Sequence, residues 1–328
     1  MALESRELGK TGEHVTVLGL GCGHISNHSF AEGVATVRRA LELGLTYFDT
    51  SPFYCHGMSQ AVLGEALEGR SEEYVLATKV GRLAKPERLR SKDALFAQFE
   101  EGLRLLRRPS VDVLQLHEAD WHRYWSDDED EDMLLNTETD YDFADAPAMQ
   151  FLREAREQGQ CRYIGITGNN PDHLAHVLPH VEVDTCLSAF NYSLINRGVC
   201  RKLLPLASRR KVALILGGAF VYEHRAQVQP DWVASTLPAE MRDRTGPLLA
   251  LQKDSGLSLV TLAIRFLVAN PDVTTLLIGA TTPAEIEENV AIGKRVQAVF
   301  IDVDDEIGVV QFALSDEAPE HEPRRVSV

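Results

Sequence analysis

Short apolar runs alternate with amphipathic stretches along most of the chain. Val15–Leu20 is an apolar run of strand length. After it, Val34, Val37, Ala40 and Leu41 recur at helical spacing, which predicts a helix over Ala31–Leu43 stopped by Gly44. The next run, Leu45 to Phe48, reads as a buried strand that ends at Asp49, and a helix over Ser59–Leu67 stops at Gly69. The alternation continues with strands at Tyr74–Val80, Val111–His117, Tyr163–Thr167, Thr185–Phe190, Val212–Leu216 and Thr274–Ile278. The helices between and after them are predicted at Lys92–Leu106, Pro147–Gln158, Asp172–Leu178, Asn196–Ser208, Leu259–Val268 and Pro283–Val290.

Eight strands alternating with eight helices predict an α/β fold with parallel strands. Eight suggests a closed (β/α)8 TIM barrel, although a doubly wound open sheet shows the same alternation. Residues 5–15 read as an N-terminal β-hairpin cap with its turn at Gly9 to Gly12. Long excursions follow the fourth and seventh barrel strands, over 118–146 and 217–246. Both leave from strand C-terminal ends, where barrels bind ligands. No linker divides the chain, so a single domain over 1–328 is expected, with a mobile tail at 315–328.

The net charge of −16 would repel a phosphate backbone or an anionic membrane surface. Nucleic acid and membrane are therefore not expected partners. No apolar run is long enough to span a bilayer, and the first residues lack the basic start and apolar core of a signal peptide. The five cysteines include no Cys-x-x-Cys pair or zinc spacing, as expected of reduced thiols in a cytoplasmic protein.

Candidate chemistry gathers at three consecutive strand ends. Asp49 closes one, with Tyr54 just beyond it; Lys79 and His117 close the next two. Singly, these read as a cap, a core aromatic, a surface lysine and a structural histidine. Together, in a barrel, they would converge on one mouth and could transfer protons. A phenol is a poor acid at neutral pH, and a neighbouring Lys79 ammonium would lower its pKa. Asp49 would hold Lys79 in place, and His117 would orient a substrate oxygen.

These segments, Phe48-Asp49-Thr50-Ser51-Pro52-Phe53-Tyr54, Thr78-Lys79 and Leu116-His117-Glu118-Ala119-Asp120, resemble the catalytic segments of the aldo-keto reductases. Leu277-Ile278-Gly279-Ala280-Thr281-Thr282-Pro283, followed by Glu288-Asn289, resembles that family's cofactor-phosphate segment. The sugar dehydrogenase branch, which oxidises L-galactose, L-fucose or D-threo-aldoses, looks most similar. The resemblance implies a (β/α)8 barrel and an NAD(P)-dependent oxidoreductase interconverting a carbonyl or lactone with an alcohol or lactol. It assigns the catalytic roles to Asp49, Tyr54, Lys79 and His117, with Tyr54 as general acid/base. It implies cofactor contacts from Gly21, Thr167, Asn169, Leu216 and Gly217, and from Gly279, Ala280, Thr281, Thr282, Glu285, Glu288 and Asn289. Gly19-Leu20-Gly21-Cys22-Gly23 lacks the spacing of a dinucleotide loop, because position 24 is His.

Thr167-Gly168-Asn169 stands where the family commonly has Ser-Asn, and Leu216-Gly217-Gly218 where many members carry a stacking Tyr. Phe220 or Tyr222 could replace that Tyr. Gly279 and Glu285 fall where NADPH-specific members place basic residues. Glu285 would repel a 2′-phosphate and accept from a 2′-hydroxyl, which favours NAD(H) over NADP(H). Trp121 and Trp125, with Phe220 and Tyr222, are the substrate-site candidates, for a small molecule of sugar or polyol type. The acidic run Asp127–Asp132 reads as a solvated loop or as a lid against anions. Two rival readings remain: a metal-dependent barrel hydrolase using His117, Glu118, Asp120 and His122, and a non-catalytic cofactor-binding subunit.

Overall fold

A computed structural model describes residues 3–127, 133–229, 232, 235–293, 297–302 and 308–313. Strands Ser5–Glu7 (β1) and His14–Thr16 (β2) form an antiparallel hairpin. Eight parallel strands then close a barrel. They are Leu18–Gly21 (β3), Tyr47–Asp49 (β4), Val75–Val80 (β5), Val111–Leu116 (β6), Cys161–Gly168 (β7), Thr185–Ala189 (β8), Ala213–Gly217 (β9) and Thr275–Gly279 (β10). Closure runs through β10, which pairs with β3 on one side and β9 on the other. The closed (β/α)8 barrel and its hairpin are thus as expected. A second antiparallel hairpin, Gln297–Asp302 (β11) with Gly308–Ala313 (β12), lies in the segment past residue 293.

Helix α1, Phe30–Glu42, shows the local logic. Ser29 caps it by accepting from the Glu32 amide at 3.1 Å, and Gly44 stops it in the left-handed region at φ 89°. Its apolar stripe, Val34, Val37, Ala40 and Leu41, is buried against the barrel. Inside the barrel, the period-two alternation of strand side chains builds layers. Tyr47, Val75, Ala77 and Val113 point into an apolar interior, with Leu187, Ala213, Ile215 and Leu277. Leu8 and Val15 of the N-terminal hairpin join that cluster and seal the bottom. Arg6 fastens the seal. Its guanidinium donates to the carbonyls of Val268, Asn270 and Val273 at 2.5–2.6 Å.

Three expectations need correction. The first strand is two pieces, with His14–Thr16 in the hairpin and Leu18–Gly21 in the barrel. No helix begins at Asn196; the helix here is Leu203–Arg210. Ser193 and Asn196 side chains bond backbone amides of the preceding loop instead, and such local bonds compete with helix. The excursion after β9 carries helices Val221–Val228 and Ala239–Ser255. The longer helix carries Pro247 in its interior. Asp128 to Asp132 and the tail 315–328 lie outside the described residues.

Candidate active site

The alternation that fills the barrel also builds its mouth. One pleat above Tyr47 comes Asp49; one above Ala77 comes Lys79; one above Val113 comes Gln115. Apolar layers thus give way to a polar layer at the C-terminal end. Lys79 and Asp49 are each only 1% exposed and form a buried ion pair. Lys79 Nζ also donates to the Thr50 carbonyl at 2.9 Å, and Gln115 Nε2 donates to Asp49 Oδ2 at 2.9 Å. Gln115 is a supporting residue that the sequence reading missed, though its inward register was visible there.

Tyr54 opens a short turn after β4. Cys55, His56 and Gly57 follow in the left-handed region, at φ 50°, 53° and 85°. Non-glycine residues rarely hold that conformation, so packing fixes the turn. Lys79 Nζ sits 4.7 Å from the centroid of the Tyr54 ring. Burial raises the Tyr54 pKa, and Lys79 lowers it only in part, so the phenol ends above its ordinary value. The expected depression by Lys79 is present but loses to desolvation. Burial works against the Lys79 ammonium, yet Asp49 and then Tyr54 keep its pKa above the usual lysine value.

His117 packs edge-on to Tyr54 with ring centroids 5.7 Å apart. Burial, then Lys79 and Arg82, push its pKa well below the ordinary value, so the ring is neutral. The Phe53 amide donates to Ser51 Oγ at 3.1 Å, and Ser51 Oγ shares a hydrogen bond with His117 Nδ1 at 3.0 Å. That bond holds the imidazole by Nδ1 and leaves Nε2 for another partner. The Tyr124 hydroxyl fixes the backbone here, donating to the His117 carbonyl at 2.7 Å and accepting from the Arg82 amide at 3.1 Å.

A cavity of about 820 Å³ starts at these residues and runs across the mouth to the end of β10. Of the residues expected to meet a cofactor, Gly21, Thr167, Asn169 and Gly217 border it on one stretch. Gly279, Ala280, Thr281, Glu285 and Asn289 border it at the far end. Leu216 is fully buried and does not border it. Thr282 caps the following helix by accepting from the Glu285 amide at 3.3 Å, and Glu288 is exposed away from the cavity. The cavity wall is bare where a long ligand needs room: a methyl group added at Gly23 or Gly279 would meet no atom within 4 Å. Residues bordering the cavity therefore suit an extended nicotinamide dinucleotide.

The substrate-site candidates divide. Phe220 borders the cavity. Trp125 does not: it is 1% exposed, donates from Nε1 to the Ala119 carbonyl at 2.8 Å and packs on Phe143, forming the base of its loop. Trp121 is half-buried and bridged to Leu134, and Tyr222 packs in a cluster with the Leu259 helix; neither borders the cavity. Phe190 was missed. It lies just past β8 with φ 67°, is 41% exposed and borders the cavity. Its ring covers Gly218 so closely that a methyl group there would overlap it. Only the positive φ turns the ring this way, and the sequence does not display that.

Asn169 and Asp120 are tied into the loops. Asn169 Nδ2 donates to Glu118 Oε1 at 2.8 Å, and Asp120 Oδ2 accepts from the Asn169 and Asn170 amides at 2.7 and 2.8 Å. His117, Glu118, Asp120 and His122 do not converge. Among the described residues no three or more His, Cys, Asp or Glu side chains form a possible metal cluster.

Residues 17–299 match the sequence pattern of the aldo/keto reductase family. The chain belongs to that family. It is 29% identical to L-galactose dehydrogenase of Arabidopsis thaliana, over 92% of this chain and 91% of that one. It is 27% identical to pyridoxal 4-dehydrogenase of Microbacterium luteolum, over 88% and 92% of the two chains. With D-threo-aldose 1-dehydrogenase of a Pseudomonas species it shares 26% identity, over 85% and 89%. A crystal structure of an aldo/keto reductase from Klebsiella pneumoniae with NADP and acetate superposes with a TM-score of 0.65 at 19% identity, covering 90% of this chain and 92% of that one. The family likeness read from the sequence is borne out, as is the NAD(P)-dependent carbonyl–alcohol oxidoreductase it implied. The hydrolase reading finds no support. No helix among the described residues is long and apolar enough to cross a membrane.

Proposed function

We propose that this aldo/keto reductase acts in the cytoplasm as a sugar or polyol dehydrogenase, with Tyr54 as its proton donor and acceptor. The observation that carries the mechanism is the convergence of a buried Asp49–Lys79 pair, Tyr54 and a neutral His117 on one end of the cavity. A bound nicotinamide gives or takes the hydride. Tyr54 gives its proton to the substrate oxygen in reduction and removes it in oxidation. Its high pKa keeps that proton in place at neutral pH. His117 Nε2–H donates to the same oxygen and fixes its position. Lys79 steadies the phenolate that forms, and Asp49 with Gln115 holds Lys79.

The sugar assignment draws on the L-galactose and D-threo-aldose dehydrogenases among its relatives. For the cofactor, Glu285 supports NAD(H). Its carboxylate accepts from the Thr281 amide at 2.7 Å and hydroxyl at 2.9 Å, which holds its pKa below the usual carboxylate range and keeps it charged. That negative charge borders the cavity's far end and opposes a 2′-phosphate. A panel of aldoses, polyols and aldehydes assayed with NAD+, NADP+, NADH and NADPH at the nicotinamide absorbance tests both points. Sugar turnover with a lower KM for NAD(H) is expected. Preference for NADP(H) refutes the cofactor assignment, and preference for apolar aldehydes refutes the sugar assignment. Tyr54→Phe should lower kcat by about 10²–10⁴-fold with cofactor binding intact; near-normal turnover would overturn its role.

A further inference from the structure

Arg82 borders the cavity just past Lys79 and takes no part in the mechanism above. Its backbone is left-handed at φ 49°, a conformation a side chain this long rarely adopts. Contacts on both sides fix it there. Its amide donates to the Tyr124 hydroxyl, and the Gly81 amide and carbonyl bond the Gln98 side chain at 2.7 and 3.0 Å. The guanidinium is held as firmly. Its central carbon lies 3.7 Å from the centroid of the Phe53 ring and 5.5 Å from that of Trp121. Nη1 donates to Glu118 Oε1 at 3.0 Å. Nε and Nη2 have no hydrogen-bond partner among the described residues, and both are open to water, on a side chain that is 27% exposed. Fixed, charged and accessible donors suit an oxygen acceptor, because little freedom is lost when one binds.

The guanidinium belongs to the Tyr54–His117 end of the cavity. The Phe53 ring on which it lies meets His117 edge-on, with centroids 6.2 Å apart. Its charge also reaches that imidazole: after burial and Lys79, Arg82 is what pushes the His117 pKa down. With the reacting carbonyl at Tyr54 and His117, Arg82 is placed to meet oxygens farther along the same molecule. The ion pair with Glu118 balances the guanidinium charge, as Asp49 balances Lys79, so this end offers donors without a net positive charge to draw an anion. We propose that Arg82 is a specificity-determining residue whose Nε and Nη2 donate to a neutral substrate oxygen, a hydroxyl or ring oxygen, beyond the reacting carbon. The site then prefers hydroxylated carbonyl compounds over alkyl ones of the same length. This rests on the oxidoreductase reading of the site.

The test compares kcat/KM for glyceraldehyde with propanal, and for succinic semialdehyde with butanal, each pair equal in carbon count. It uses the wild type, Arg82→Met and the double variant Arg82→Met/Glu118→Gln, with cofactor Kd followed by fluorescence titration. Met keeps an apolar stem on Phe53 and removes the donors. Gln in the double variant removes the carboxylate charge that Met alone would strand. The wild type should prefer glyceraldehyde, and that preference should fall about 10- to 100-fold in both variants, mainly through KM, with cofactor Kd unchanged. A preference that survives in either variant, or equal losses on both aldehydes, overturns the proposal. So does a weakened cofactor Kd with the preference intact, which would give the Arg82 donors to the cofactor. A wild-type preference for succinic semialdehyde over butanal that exceeds the glyceraldehyde preference and vanishes in both variants overturns the neutral oxygen and marks an anion site. A wild type that reduces glyceraldehyde and propanal without preference refutes this inference alone. A wild type that reduces none of the four, with NADH or NADPH, refutes the oxidoreductase reading and this inference with it.

Discussion

Replacing Lys79 by Met isolates the central ion pair. Asp49 and Lys79 are each 1% exposed, and Asp49 Oδ2 has Gln115 as its other donor. Taking away the ammonium alone leaves a carboxylate inside the barrel with one neutral hydrogen bond. Breaking a buried pair from one side costs about 3–5 kcal/mol. Whole domains are stable by only about 5–15 kcal/mol, so the loss is a large fraction of the total. Asp49→Asn in the same chain removes the stranded charge. The double variant should therefore recover much of the loss, keeping a deficit of roughly 1–3 kcal/mol for hydrogen bonds left unmade. Urea unfolding at pH 7 gives the four free energies of the cycle, with equal m values showing that the same surface unfolds. A Lys79→Met variant within about 1 kcal/mol of the wild type would refute the reasoning. So would single-variant losses that simply add in the double variant.

In the reduction direction, kcat/KM should stay flat through neutral pH and fall as pH rises through the Tyr54 pKa, which burial lifts above the ordinary phenol value. A general acid works only below its pKa, hence the sign. His117 is neutral throughout, so no limb is expected near the ordinary histidine value; one that vanished in His117→Asn would overturn that account. Phe190→Ala removes the exposed ring over Gly218 and should weaken cofactor binding by about tenfold, on the scale of one aromatic contact. Cofactor titration checks this, and an unchanged Kd would show that the ring faces no cofactor. Glu285→Gln should narrow the proposed NAD(H) preference, read from KM for the two cofactors, because it removes the charge opposing a 2′-phosphate.

The meeting of Asp49, Lys79 and His117 at one mouth was legible because strand alternation is a rigid rule. Once Tyr47, Ala77 and Val113 are read as interior, Asp49 and Lys79 must point the same way, one pleat higher, and so must Gln115. What the sequence hid depends on loop backbone. Phe190 meets the cavity through a positive φ that residue type does not announce. Trp125 looked like a sugar platform, but its Nε1–H turns inward to the Ala119 carbonyl and the ring becomes core. Ser51 reads as a turn residue, and only the folded loop shows that its hydroxyl meets His117 Nδ1. The sign of the Tyr54 shift escaped for another reason. Neighbouring charges can be guessed from strand order, whereas the depth of burial that outweighs Lys79 cannot.

The Arg6 clasp and the β3–β10 seam bear on the order in which this molecule can become active. Asp49, Tyr54, Lys79 and His117 all leave the ribosome in the first part of the chain, yet Leu18 waits for Leu276 to pair with it, and Arg6 for the Val268, Asn270 and Val273 carbonyls. Such distant pairings carry a loop-closure penalty and slow the final step of folding. Until they form, the buried Asp49–Lys79 pair has no sealed interior to sit in. A nascent chain can therefore hold every residue of the proposed site and still be inert, and activity should arrive with ring closure, not with synthesis of the site.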